Sequence, residues 1–196
     1  MLPVVRIRLP EWVEELLAVY PASFAGVEER MDLVIALADR NVRHQTGGPF
    51  AAAIFDAGGR LVAPGVNMVT AVNCSILHAE IVALALAQQV VNRWDLSDGG
   101  RLTYELVTVA EPCAMCFGAI HWSGLKRLVC GARGEDAQAI GFDEGVKPAD
   151  WVAALADRGI TVARDVRRRE AGQVLQAYVA AGGIIYNAGR SVGGLY

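Results

Sequence analysis

The sequence predicts an α/β fold, a three-layer α/β/α sandwich around a mixed sheet of about five strands whose first two run antiparallel. Three observations point there. Of 196 residues, 54% are hydrophobic and 20% charged, which suits one compact domain with a substantial core. The stretch "GGPFAAAIFDAGGRLVAPGV" (47–66) reads as two apolar strands joined at a glycine-rich turn. From Leu102 onward strand-like and helix-like segments alternate, which favours strands laid parallel through helical crossovers.

In order, "EWVEELLAVY" (11–20) reads as a short amphipathic helix ended by Pro21. "VEERMDLVIALADRNVRH" (27–44) carries apolar residues at helical spacing and reads as a longer one. After the hairpin, "NMVTAVNCSI" (67–76) reads as a loop and "HAEIVALALAQQVVNRW" (78–94) as a helix. "LTYELVTVA" (102–110) reads as a strand, and a helix is expected to open at Pro112, where proline suits a first turn. "KRLVCGAR" (126–133) is a strand, "PADWVAALADRG" (148–159) a helix, and "ITVAR" (160–164) a strand. "REAGQVLQAYVAAGG" (169–183) closes the pattern as a helix stopped by Gly182 and Gly183. The reading divides the chain into an N-terminal helical extension (1–26), a main domain (27–182) and a C-terminal tail (183–196).

No apolar run spans a bilayer; the nearest, "IVALALAQQVV" (81–91), is interrupted by two glutamines. The N-terminus mixes prolines, arginines and acids with apolar residues and lacks the apolar stretch of a signal peptide, so a soluble, cytoplasmic protein with no membrane partner is expected. A net charge of −3 and only two lysines, Lys126 and Lys147, argue against a nucleic-acid partner. The one basic run, Arg167 to Arg169, reads as a solvated helix start.

Four cysteines occur, and a disulfide framework is not expected in an intracellular chain of this size. Cys130, in "RLVCGA", reads as a small core residue. Cys113 and Cys116 form a C-x-x-C after a proline, a spacing shared by redox dithiols, structural zinc knuckles and catalytic metal sites. Their companions decide between these. His78, one of three histidines, opens a helix, and Glu80 stands two residues on. Cys113, Cys116 and His78 make three protein ligands and leave a fourth position open, the pattern of a catalytic zinc. A helix brings residues i and i+3 to one face, and its first turn favours thiolates. Glu80 stands close enough to take a proton from water activated by the metal.

The whole string, H-x-E (78–80) with P-C-x-x-C (112–116), is the signature of zinc-dependent base deaminases. Over roughly residues 27–182 the chain resembles the cytidine deaminase superfamily, in the branch holding guanine, cytosine and tRNA adenosine deaminases. The resemblance rests on "GGPFAAAIFD", "NMVTAVNCSILHAE" and "EPCAMCFGAIHWSGLKRLVCGA". It implies a cytidine deaminase-like fold, one Zn2+ per subunit held by His78, Cys113 and Cys116, and Glu80 as proton shuttle. Asn67, eleven residues before His78, matches an asparagine that hydrogen-bonds the substrate ring. The amides of Ala79 and Glu80, at a helix N-terminus, point where a ring carbonyl would sit.

Further likeness leans toward guanine deaminases. It implies Phe50 stacked on a purine, Trp122 lining the pocket, and an acid of "GFDEG", Asp143 or with slight preference Glu144, at the base's N–H edge. In those enzymes a C-terminal segment ending in an aromatic residue closes an active site, which gives Tyr196 the role of a cap, its own or a partner's. The implied function is zinc-dependent hydrolysis of guanine to xanthine and ammonia by a homodimer acting on a small purine base. Cytosine, a nucleoside or an amino-triazine remains an alternative substrate, with tRNA adenosine further off.

Overall fold

The computed structural model describes residues 4–187 and 189. Helix α1 (Glu11–Leu17) precedes α2 (Val27–Arg43), then β1 (Ala51–Asp56) and β2 (Leu61–Val66). A short α3 (Val69–Val72) leads to α4 (Ala79–Val90), β3 (Tyr104–Ala110), α5 (Ala114–Ser123) and β4 (Arg127–Ala132). Helices α6 (Gly134–Ala139) and α7 (Trp151–Ala156), β5 (Thr161–Ala163) and α8 (Arg168–Ala180) complete the chain's described elements.

The five strands form one mixed sheet in the order β2-β1-β3-β4-β5. β1 pairs antiparallel with β2 and β3, whereas β3–β4 and β4–β5 are parallel, as the alternation after Leu102 led one to expect. Side chains alternate across the sheet. Ala51, Ala53 and Phe55 face a core with α1, α2 and α8; Ala52 and Ile54 face another with α4, α5 and α7. Helices cover both faces, which is why "AAAIF" is apolar at every position and not at alternate ones. Trp12, Val13 and Leu16 of α1 are buried in the same core as α2, so the N-terminal helix packs as part of the sandwich.

Several elements differ from expectation. The segment 67–76 contains the one-turn α3, and the helix begun at residue 79 stops at Val90 because Asn92 adopts a left-handed φ of 52°. α5 starts after Cys113, which caps it, so Pro112 lies outside the first turn. α6 is polar and has no apolar period to betray it. It is fixed instead by Asp136, whose carboxylate accepts the Arg133 amide (2.8 Å) and the Arg168 guanidinium (2.9 Å). The basic run is also more engaged than a solvated face. Arg167 pairs with Asp32 at 2.9 Å and Arg168 with Glu135 at 3.0 Å, tying α8 to α2 and α6. Among the described residues no helix is long and apolar enough to cross a membrane.

Candidate active site

Two helix N-termini meet beyond the carboxyl end of β3. His78 is the N-cap residue of α4, with Glu80 in its first turn; Cys113 is the N-cap residue of α5, with Cys116 in its first turn. Glycine at position 65 of β2 sets the depth of α4. A Cβ there would collide with the Ala79 carbonyl oxygen and come within 2.5 Å of the Ala83 nitrogen, so only glycine lets the strand lie this close.

The donor atoms of His78, Cys113 and Cys116 all lie within 4.8 Å of one another. Cys113 Sγ is 3.5 Å from His78 Nδ1. Ligands of tetrahedral zinc stand about 3.3–3.8 Å apart, given Zn–N and Zn–S bonds of about 2.0 and 2.3 Å, so the cluster has the dimensions of such a site. The electrostatics agree. A hydrogen bond from Cys116 pulls the Cys113 thiol down to about 4, against the opposing effect of burial, with His78 helping. The shared proton, together with burial, raises Cys116. Burial, and then the Cys113 charge, raise Glu80 to about 6 and Glu144 to about 8. Two sulfurs and two carboxyls thus crowd a buried space, and a divalent cation would relieve the negative charge they carry when ionised.

The walls come from distant segments. Asn67 is buried, and its Oδ1 accepts the amides of Gly48 and Val69, each at 3.3 Å. Its Nδ2 is buried without a hydrogen-bond partner among the described residues. Phe50 meets Phe142 edge-on at 5.0 Å between ring centroids, and Phe142 meets Tyr186 at the same distance. Glu144 is buried and Asp143 exposed. The Asp143 carboxylate instead accepts the Gly145 amide at 2.9 Å and closes a turn, so of the two acids only Glu144 is inside. The α5 start is held from this loop: the Ala114 amide donates to the Glu144 carbonyl (2.8 Å) and Lys147 Nζ to the Pro112 carbonyl (2.7 Å).

Trp122 does not line the site. It is 85% exposed on the outer side of α5, beside Ile81, Leu84 and Ala85 of α4. It follows Cys116 by six residues, and that spacing turns it toward solvent. Ala79 is buried at the start of α4. Tyr196 lies outside the described residues. Sequence reasoning missed Phe142, Tyr186 and Asn41. Tyr186 has a hydroxyl without a hydrogen-bond partner among the described residues, its ring stands against Gly48, and burial raises its pKa well above the usual value. Asn41 had a signal: a polar residue at an apolar position of α2, continuing the buried stripe of Val34, Leu37 and Ala38.

Fold and donor set together define a class, the zinc-dependent hydrolytic deaminases. Comparison with known proteins agrees: the family profile "Cytidine and deoxycytidylate deaminase zinc-binding region" matches residues 26–132. The chain belongs to that family. It is 38% identical over 110 residues to a guanine deaminase of Bacillus subtilis, an alignment covering 56% of this chain and 67% of that protein. A solved guanine deaminase from Nitrosomonas europaea superposes with a TM-score of 0.86 at 45% identity, covering 92% of this chain and 98% of the other. A solved complex with 2,6-diaminopurine gives a TM-score of 0.86 at 47% identity, covering 93% and 96% of the two chains.

Proposed function

We propose that the chain is a guanine deaminase, converting guanine and water to xanthine and ammonia. The observation that carries the choice of base is the pairing of a buried carboxyl, Glu144, with the buried donor Asn67 Nδ2, unpartnered among the described residues. Guanine offers both N–H donors and ring acceptors, so one base satisfies both groups. The relatives with solved structures at 45–47% identity support the same reading.

In this mechanism His78, Cys113 and Cys116 hold the zinc. When bound, the metal supplies Lewis acidity, which makes water a usable nucleophile near neutral pH. Glu80 takes one proton from the attacking water and gives it to the ring nitrogen, then takes the second from the new hydroxyl, which becomes the product carbonyl, and gives it to the departing amine. Its buried carboxyl, raised to about 6, suits a group that must both accept and return a proton. Asn67 Nδ2 donates to a ring acceptor, the Ala79 amide faces a ring carbonyl, and Phe50 packs on the base. Glu144 takes the N–H edge, and its carboxyl near 8 lets it exchange a proton close to neutral pH. In this reading residues 27–182 carry the chemistry and the tail from 183 closes over the pocket, Tyr196 capping this site or a partner's. Supporting closure, the Tyr186 ring already stands against Gly48 and Phe142.

Ammonia release measured across guanine, adenine, cytosine, a nucleoside and an amino-triazine should be fastest by at least about tenfold with guanine. Faster release from another base would replace guanine as the substrate. The substrate is a free base in the cytoplasm, not RNA, in keeping with the net charge of −3 and the engaged arginine run.

The protein is further proposed to work as a homodimer through α4 and α5. Both helices are apolar nearly all round, and Trp122 stands 85% exposed over Ile81, Leu84, Ala85 and Ala119. Wild type should elute at twice the chain mass, and Trp122→Glu at once; an unchanged dimer would remove this face from the interface.

A further inference from the structure

The site's substrate-facing amide is wired to the N-terminal helix. Trp12 Nε1 donates to Thr46 Oγ1 at 3.1 Å, and Thr46 Oγ1 donates to Asn41 Oδ1 at 2.7 Å. Asn41 Nδ2 then donates to two carbonyls, Gly48 at 2.8 Å and Asn67 at 2.9 Å. Gly48 in turn donates its amide to Asn67 Oδ1. Asn41 is fully buried, and at Gly47 a Cβ would overlap the Asn67 carbonyl and come within 2.8 Å of Asn41 Nδ2. No side chain can enter between these groups.

The direction of this chain of bonds is fixed at its far end. An indole N–H only donates, so the Thr46 hydroxyl accepts there and has its proton free for Asn41 Oδ1. Asn41 must then present its amide hydrogens to Gly48 and Asn67. That holds Gly48 where it pins Asn67 Oδ1, with Val69 the second donor at 3.3 Å. With its oxygen engaged twice, Asn67 has one orientation left, which leaves Nδ2 buried and unpartnered among the described residues. A protein-facing group would normally be satisfied within the fold; this one is aimed and left open, as a ligand contact requires.

We infer that Thr46 and Asn41 are positioning residues which, directed by Trp12 of the N-terminal helix, orient Asn67 for the heterocycle. The inference rests on Asn67 contacting the substrate as proposed above. It gives the N-terminal helix, through Trp12, a task in substrate recognition that the zinc-ligand motifs do not contain. The relay touches neither Glu80 nor the donors of the metal cluster, so its loss weakens ring binding and spares the chemical step.

The test is steady-state kinetics on the zinc-loaded full chain. Thr46→Val keeps the shape and deletes the hydroxyl; it should raise KM for guanine about fivefold to tenfold with kcat within about twofold of wild type. Thr46→Ser, which restores the hydroxyl, should return KM to within about twofold of wild type. In an Asn67→Ala background the same Thr46→Val change should leave KM within about 1.5-fold, because the group it acts through is gone. Should Thr46→Val not fold, Trp12→Phe is read the same way. An unchanged KM in a folded variant, or an equal rise in both backgrounds, overturns the inference and leaves only packing. If wild type ignores guanine, the proposed function fails by itself, and the relay is read on whichever base wild type deaminates.

Discussion

Glu80→Gln should keep its zinc and release ammonia from guanine about 10²–10⁴-fold more slowly than wild type, the range associated with removing a general acid–base group. The substitution is nearly isosteric, so the start of α4 survives while the only proton acceptor of that side chain is lost. Glu80 is buried, and its carboxyl is raised to about 6 first by that burial and then by the Cys113 charge. Replacing a desolvated acid by an amide removes a strained charge, so thermal stability should hold or rise. Metal content, melting temperature and turnover together separate the outcomes. A variant with full zinc and near wild-type kcat would take the proton shuttle away from Glu80.

Cys116→Ala should be as severe for a different reason. It leaves two donors where three stood, with Cys113 no longer hydrogen-bonded to a neighbouring thiol. At stoichiometric zinc the variant should retain less than about a tenth of the metal and a comparable fraction of turnover. Wild type stripped by a chelator should lose turnover and recover it on re-addition of zinc. Free zinc at about 100 times its Kd stabilises the folded state by about 2.7 kcal/mol, which for a chain of this size raises Tm by about 5–11 °C. That rise should be absent from Cys116→Ala. Equal metal content and an equal thermal shift in both proteins would exclude Cys116 from the ligand set.

How far the sequence reaches depends on the range of each signal. H-x-E and P-C-x-x-C are short-range patterns, and each sits at a helix start, so their convergence is legible once two helices are read after two strands. The sheet was legible for the same reason: strand and helix periods switch cleanly after Leu102. Trp122 was misplaced because α5 is apolar on all sides, and such a helix offers no period to say which face is inside. Asp143 and Glu144 could not be separated from composition, since a single turn bond to Gly145 decides which acid points outward. Tyr186, Phe142 and the Asn41 relay join segments tens of residues apart, and nothing local encodes that meeting.

The contact of β2 with α4 at Gly65 has a mechanical consequence. Elsewhere the helices ride on the sheet through layers of side chains that can change rotamer and absorb displacement. At Gly65 backbone lies on backbone, with no such cushion, directly beneath the first turn of α4. The imidazole of His78 and the carboxyl of Glu80 are therefore coupled to the sheet without an intervening side-chain layer. Reacting groups mounted this way keep their spacing through thermal motion, which is the tolerance a proton relay over hydrogen-bond distances needs.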